Sequence, residues 1–118
     1  DRRQTGARGE RIAASFLKRK GYRIRETNFR CREGEIDIIA EQGGFLVFVE
    51  VRTKTSNAFG TPEESITAAK KDKLITLAQT YIDSHVGSPP SWRIDVVAIE
   101  LGPKGKVARL HLIKNAVS

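Results

Sequence analysis

The stretch GEIDIIAEQGGFLVFVEVRTK, residues 34–54, decides how this chain folds. On either side of Gly43-Gly44 lie two runs, GEIDIIAEQ (34–42) and FLVFVEVRTK (45–54), in which apolar and polar residues alternate. That period of two is the mark of half-buried strands. Two glycines between such runs make a favoured two-residue hairpin loop, because both central positions need φ > 0. The loop pairs Gln42 with Phe45 and so fixes the register. Asp37 then faces Glu50, Glu35 faces Arg52, and Ile36, Ile38, Ala40, Val47, Val49 and Val51 fall together on the other, core face. Like charges directly opposite across strands repel, and a cation held between Asp37 and Glu50 would relieve that. Carboxylate oxygens with little His or Cys nearby suit a hard ion, Mg²⁺ or Mn²⁺. The same pattern also fits an ordinary solvated acidic face, and a three-residue loop would turn one strand's faces over relative to the other.

At 118 residues the chain is expected to form one domain, 1–118, with a core that needs no staples. Its composition, 39% apolar and 30% charged, is that of a soluble globular protein. No stretch approaches the ~18–20 apolar residues of a membrane span, and no signal-peptide pattern opens the sequence. The first residue is Asp1 rather than Met, which leaves room for a preceding piece. The one cysteine, Cys31, has no internal disulfide partner and fits a reducing cytoplasm.

The net charge of +7 is unevenly spread: residues 1–32 hold eleven Lys/Arg against three acids, a local +8. Such a region is an electrostatic footprint for a polyanion, nucleic acid above all. A merely solvated basic surface is the alternative. Few bulky apolar residues interleave with these charges, which argues against an anionic membrane.

Outward from the hairpin, Ile12, Ala13, Phe16 and Leu17 form an apolar stripe that predicts a helix over about 5–20, stopped by Gly21. Glu10 sits at the edge of that stripe. Residues 22–30 read as a strand. Residues 55–62 have turn chemistry. Thr61 as cap, Pro62 at the first helical position and two acids behind it predict a second helix over 63–84. Its apolar face holds Ile66, Leu74, Leu77, Ala78, Tyr81 and Ile82, with Lys70, Lys71 and Lys73 near its middle. Those lysines read as a solvated surface or as phosphate contacts. Residues 92–101 and 107–113 read as further strands. A strand–helix–strand step after a meander predicts a crossover and a mixed α/β sheet flanked by helices.

Glu10, Asp37, Glu50 and a basic residue two after Glu50 form a constellation that resembles the PD-(D/E)xK pattern of restriction-endonuclease-like folds, whose αβββαβ core has the same element order. More narrowly, GARGERIAA (6–14), NFRCREGEIDIIA (28–40), FVEVRTK (48–54), FGTPEESI (59–66) and WRIDVVAI (92–99) resemble the YraN-type bacterial family, which is similar to archaeal Holliday-junction resolvases. The resemblance implies Asp37 and Glu50 as metal ligands for Mg²⁺ or Mn²⁺, Glu10 as a third acid that completes the site, and a cation that orients water or offsets charge at the phosphate. The motif's lysine position holds Arg52, with Lys54 two residues later and about 6.6 Å further along the strand. Arg52 keeps its proton and can only stabilise charge. Lys54 can reach back if the strand bends, or bind phosphate. Glu35 stays open between a salt-bridge partner for Arg52 and a supporting group.

The function expected is metal-dependent DNA endonuclease, on branched or damaged structures, with Glu10, Asp37, Glu50, Arg52 and Lys54 as catalytic candidates and Arg8, Arg11, Arg30, Arg32 and Lys70 as the nucleic-acid surface. The alternative is a nucleic-acid-binding module on the same fold with little or no hydrolysis; a protein-interaction scaffold that keeps an old acidic pocket is a third. DNA ranks ahead of RNA as partner, no membrane is expected, and homodimer formation is left open. No base-reading motif is present.

Overall fold

The computed structural model describes residues 2–55 and 60–117. The elements are α1 (Arg2–Arg19), β1 (Arg23–Cys31), β2 (Gly34–Gln42), β3 (Phe45–Lys54), a 3₁₀ turn (Glu63–Ser65), α2 (Ala68–Ser84), β4 (Ser91–Leu101), a second 3₁₀ turn (Pro103–Gly105) and β5 (Val107–Ile113). The strands lie in sequence order in one five-stranded sheet. β3 and β4 are parallel, joined through α2, and every other neighbouring pair is antiparallel. This is the mixed α/β sheet expected, the αβββαβ order followed by one more strand.

The hairpin closes as its sequence demands. Gly43 (φ 58°) and Gly44 (φ 82°) both take left-handed backbone, and Gln42 pairs with Phe45. α1 starts three residues earlier than its apolar stripe predicts, at Arg2, because a helix end on the surface needs no apolar residue. It ends as predicted at Gly21: the Tyr22 N–H donates to the Leu17 carbonyl (2.9 Å) and the Gly21 N–H to that of Lys18 (3.1 Å), the paired bonds of a Schellman ending.

Both faces of the sheet are covered, not one. α1 brings Ala13 and Leu17, with Tyr22 just beyond, onto Ile38, Ala40, Val47, Val49, Val97 and Ile99. α2 brings Leu74, Leu77, Ala78 and Tyr81 onto Ile36, Ile39, Leu46, Phe48 and Ile94. Double coverage explains why residues 94–99 of β4 are buried without a break. It also corrects the assignment of Ile36, which lies in the α2 cluster and not with Ile38 on the α1 side.

Among the described residues, one acidic side chain is wholly buried on the α1 side. Asp95 accepts from Tyr22 Oη (2.7 Å), from Arg93 Nε (2.9 Å) and from the Asn115 N–H (2.9 Å). Arg93 also donates to Gln42 Oε1 (2.7 Å). With its oxygens taken, this carboxylate ties the end of α1, β4 and the C-terminal segment together, and burial with the Asp95 bond pushes the Tyr22 hydroxyl up to about 12.

Candidate functional site

The β2–β3 ladder stops at Ile38–Val49, short of the acids. Beyond it the strands part. The Val51 N–H, which would otherwise seek a β2 carbonyl, donates to Asp37 Oδ2 at 2.8 Å. On the far side of β2, Asn28 takes a left-handed backbone (φ 54°) between the Thr27–Ile38 and Phe29–Ile36 pairs. Ile36 comes out beside Phe29 in the α2 cluster. The strictly alternating register therefore fails at Asp37, and Glu35 does not meet Arg52. Glu35 pairs with Arg30 across β1 instead, Nε to Oε2 3.0 Å.

Into this opening α1 delivers Glu10. The helix comes in close because position 9 is glycine: a Cβ there would collide with Thr53 Oγ1 on β3. Glu10, Glu35 and Asp37 each place a carboxylate oxygen so that all lie within 4.8 Å of one another. Asn28, with its amide oriented to donate, reaches Glu10 Oε1 (2.9 Å) and Glu35 Oε1 (3.3 Å). Glu50, only 5% exposed, adjoins Asp37 on the other side. Its Oε2 lies 3.0 Å from Arg52 Nε and 3.6 Å from Lys70 Nζ of α2. The Arg52 contact is an ion pair without hydrogen-bond alignment.

The electrostatics follow from that crowding. Burial and the Glu50 carboxylate push Asp37 up to about 7, against the lowering effect of the Val51 N–H. Burial, then Asp37, then Glu35 raise Glu10, partly offset by Asn28 and Arg30. The set is all oxygen, and its excess negative charge is the kind a divalent cation relieves.

The sequence model of Uncharacterised protein family UPF0102 matches residues 9–99, a span that holds every one of these groups. The chain belongs to UPF0102. It is 50% identical over 114 residues to the UPF0102 protein STH1475 of Symbiobacterium thermophilum, covering 97% of this chain and 96% of that one. To the UPF0102 protein of Moorella thermoacetica it is 48% identical over 115 residues, 98% of this chain and 96% of the relative. A Dehalococcoides mccartyi member is 46% identical over 117 residues, 99% and 95% of the two chains.

Of the residues singled out in sequence, this UPF0102 fold gathers Glu10, Asp37, Glu50, Arg52 and Lys70 in one place. Lys54 is held elsewhere, its Nζ donating to the Gly60 carbonyl at 3.1 Å. Arg30 stands at the rim on Glu35. Arg8 lies against the turn at Gly105, while Arg11 and Arg32 are exposed. The turn signal at 55–62 falls partly on residues 56–59, outside the described residues. Asn28 was missed by sequence reasoning. Its signal was an asparagine inside a strand pattern, the residue type most tolerant of left-handed backbone after glycine.

Among the described residues no helix is long and apolar enough to cross a membrane.

Proposed function

We propose that this UPF0102 protein is a divalent-metal-dependent endonuclease that hydrolyses phosphodiester bonds in DNA, with branched or damaged structures as its preferred substrates. The observation that carries the reading is the convergence of Glu10, Glu35 and Asp37 where β2 and β3 part, with Glu50 adjoining Asp37 and two cations near Glu50 Oε2. Asp37 and Glu50 would hold Mg²⁺ or Mn²⁺, and Glu10 would complete the set. Bound there, the ion supplies Lewis acidity toward a phosphoryl oxygen and toward the attacking water.

The chain's own residues do the rest. Arg52 pairs with Glu50 Oε2 from the same strand, Nε to Oε2 3.0 Å, and restrains that carboxylate. The Val51 N–H fixes Asp37 in the same way. Asn28 bridges Glu10 and Glu35, so two acids on different elements keep one spacing. The basic surface of residues 1–32 would draw the DNA backbone to the protein.

The test is a panel of duplex, single-stranded, flap and four-way-junction DNAs incubated with Mg²⁺ or Mn²⁺, run beside calorimetric titration with Mn²⁺. Cleavage that needs the ion and disappears in Asp37→Asn and Glu50→Gln is expected. DNA binding without cleavage, in a protein that takes up no Mn²⁺, would replace the enzyme by a binding module.

A further inference from the structure

α2 begins against its own electrostatics. The positive end of a helix dipole favours acids and disfavours cations in the first turn. Yet α2 opens Ala68-Ala69-Lys70-Lys71 with no acid there, and Thr67 Oγ1 caps the Lys70 N–H at 3.1 Å. The unfavourable position has a specific outlet. Lys70 Nζ, on a side chain 31% exposed, stands 3.6 Å from Glu50 Oε2. The residue that the motif would make the working cation, Arg52, lies with its Nε 3.0 Å from the same oxygen, paired by charge and without hydrogen-bond alignment. The one lysine of β3, Lys54, is anchored on the Gly60 carbonyl. Among the described residues, Lys70 is thus the lysine whose amine is paired with Glu50.

We propose that Lys70, reaching in from α2, is the catalytic amine of this site: it contacts a non-bridging oxygen of the scissile phosphate and offsets the charge that builds there. The inference rests on the nuclease reading above. An ammonium has three rotatable donors, so one N–H can point toward Glu50 while another turns to the phosphate; a guanidinium fork is planar and is less free to divide itself. Lys70 gives hydrogen bonds and transfers no proton in the step. The water oxygen bonds to phosphorus, one P–O ester bond breaks, one proton goes to solvent and one is taken up by the leaving oxygen. The products are a phosphomonoester end and an alcohol end.

The test compares wild type with Lys70→Ala, Lys70→Arg, Lys54→Ala and, as a surface control, Lys71→Ala. Each is checked for fold by circular dichroism, for Mn²⁺ affinity by calorimetry, and for cleavage of the DNA panel. Lys70→Ala is expected to bind Mn²⁺ as tightly as wild type or more tightly, because a competing cation is gone, and to cleave about 100-fold more slowly at saturating DNA. Lys70→Arg should recover part of that loss, to within about tenfold of wild type. Cleavage by Lys70→Ala close to the wild-type rate overturns the proposal and leaves the nuclease reading standing, as does loss of activity in Lys54→Ala with Lys70→Ala intact. Loss of Mn²⁺ binding in Lys70→Ala also overturns it, since Lys70 would then build the site instead of acting in it. A wild type that binds Mn²⁺ and cleaves nothing removes both readings together.

Discussion

At the scale of single residues, Asp37 governs how the site answers to pH. Burial and Glu50 place it at about 7 in the metal-free protein, against about 4 in an unfolded chain. Between those values the native state holds a proton that the unfolded state has released. Stability therefore falls as pH rises from about 4 to about 7 and levels off above. Asp37→Asn, which can still accept from the Val51 N–H, is expected to raise metal-free stability above pH 7 by about 1–3 kcal/mol and to flatten the slope. Melting curves in EDTA between pH 5 and 8 check this; a lower melting temperature for the variant at pH 8 would show the charge to be compensated. Mn²⁺ should raise the wild-type melting temperature and leave the variant's unchanged. Gly9 makes a second residue-scale prediction. Gly9→Ala has to push α1 off Thr53, at a cost of about 1–3 kcal/mol, and Glu10 retreats with it. Weaker Mn²⁺ binding should accompany the instability, and adding Thr53→Ala should restore part of both, a non-additivity that a simple helix-propensity effect would not give.

At the scale of elements, the start of α2 shows what a sequence can and cannot disclose. Thr61, Pro62 and Glu64 have the signature of a helix start, and its chemistry is present: Glu64 Oε1 accepts from the Thr61 N–H (2.7 Å) and from Thr61 Oγ1 (2.8 Å). The helix it starts is a single 3₁₀ turn. Ile66 then goes extended (φ −82°, ψ 109°), and α2 begins afresh behind Thr67, five residues later than predicted. A remote partner holds that turn: Arg109 on β5 grips Glu63 through two bonds (2.9 and 2.7 Å), holding that carboxyl down at about 2 and tying the turn to β5. A partner 46 residues away leaves no trace in the local pattern. The shift moves Lys70 from mid-helix to the first turn, which is why its meeting with Glu50 was not legible. The Gly43-Gly44 loop and the first pairs of the hairpin were legible because two left-handed glycines and alternating side chains are local facts. The parting of the strands at Asp37 was not, since Asn28 on β1 takes part in it. Thr67→Ala should cost about 1 kcal/mol and Thr61→Ala less, because only Thr67 caps a helix of several turns; denaturant midpoints that rank them the other way would contradict this.

At the scale of the whole molecule, one sheet between two unlike helices divides the labour. The α1 side carries the Asp95 network and much of the apolar core, and α2 carries the amine that reaches Glu50. The open end of β2 and β3 is where the two layers contribute to one place. The basic region of residues 1–32 was readable from composition, but its members differ in the folded protein. Arg30 is engaged by Glu35, Arg8 lies against the Gly105 turn, and Arg11 and Arg32 stand exposed. DNA affinity is expected to fall steeply with salt, and neutralising Arg11 or Arg32 should each lower the slope of log K against log salt by about 0.9. Arg30→Ala should change it less. Affinity that is flat between 50 and 200 mM salt, two ordinary assay conditions taken from about the range in which such slopes are measured, would show that this surface does not meet phosphate.

The bond from the Val51 amide to Asp37 Oδ2 turns one backbone proton into a gauge of the site. A hydrogen bond to an ionised carboxylate is shorter and stronger than one to a neutral acid, so the amide's chemical environment follows the state of Asp37. In an ¹⁵N–¹H correlation spectrum of metal-free protein, the Val51 cross-peak should travel downfield in the proton dimension with a midpoint near the value of about 7 set for Asp37. Titration with diamagnetic Mg²⁺ should displace the same peak at constant pH. A Val51 resonance that ignores both would mean that this amide and Asp37 do not share a proton in solution, and the occupancy of the site would have to be read some other way.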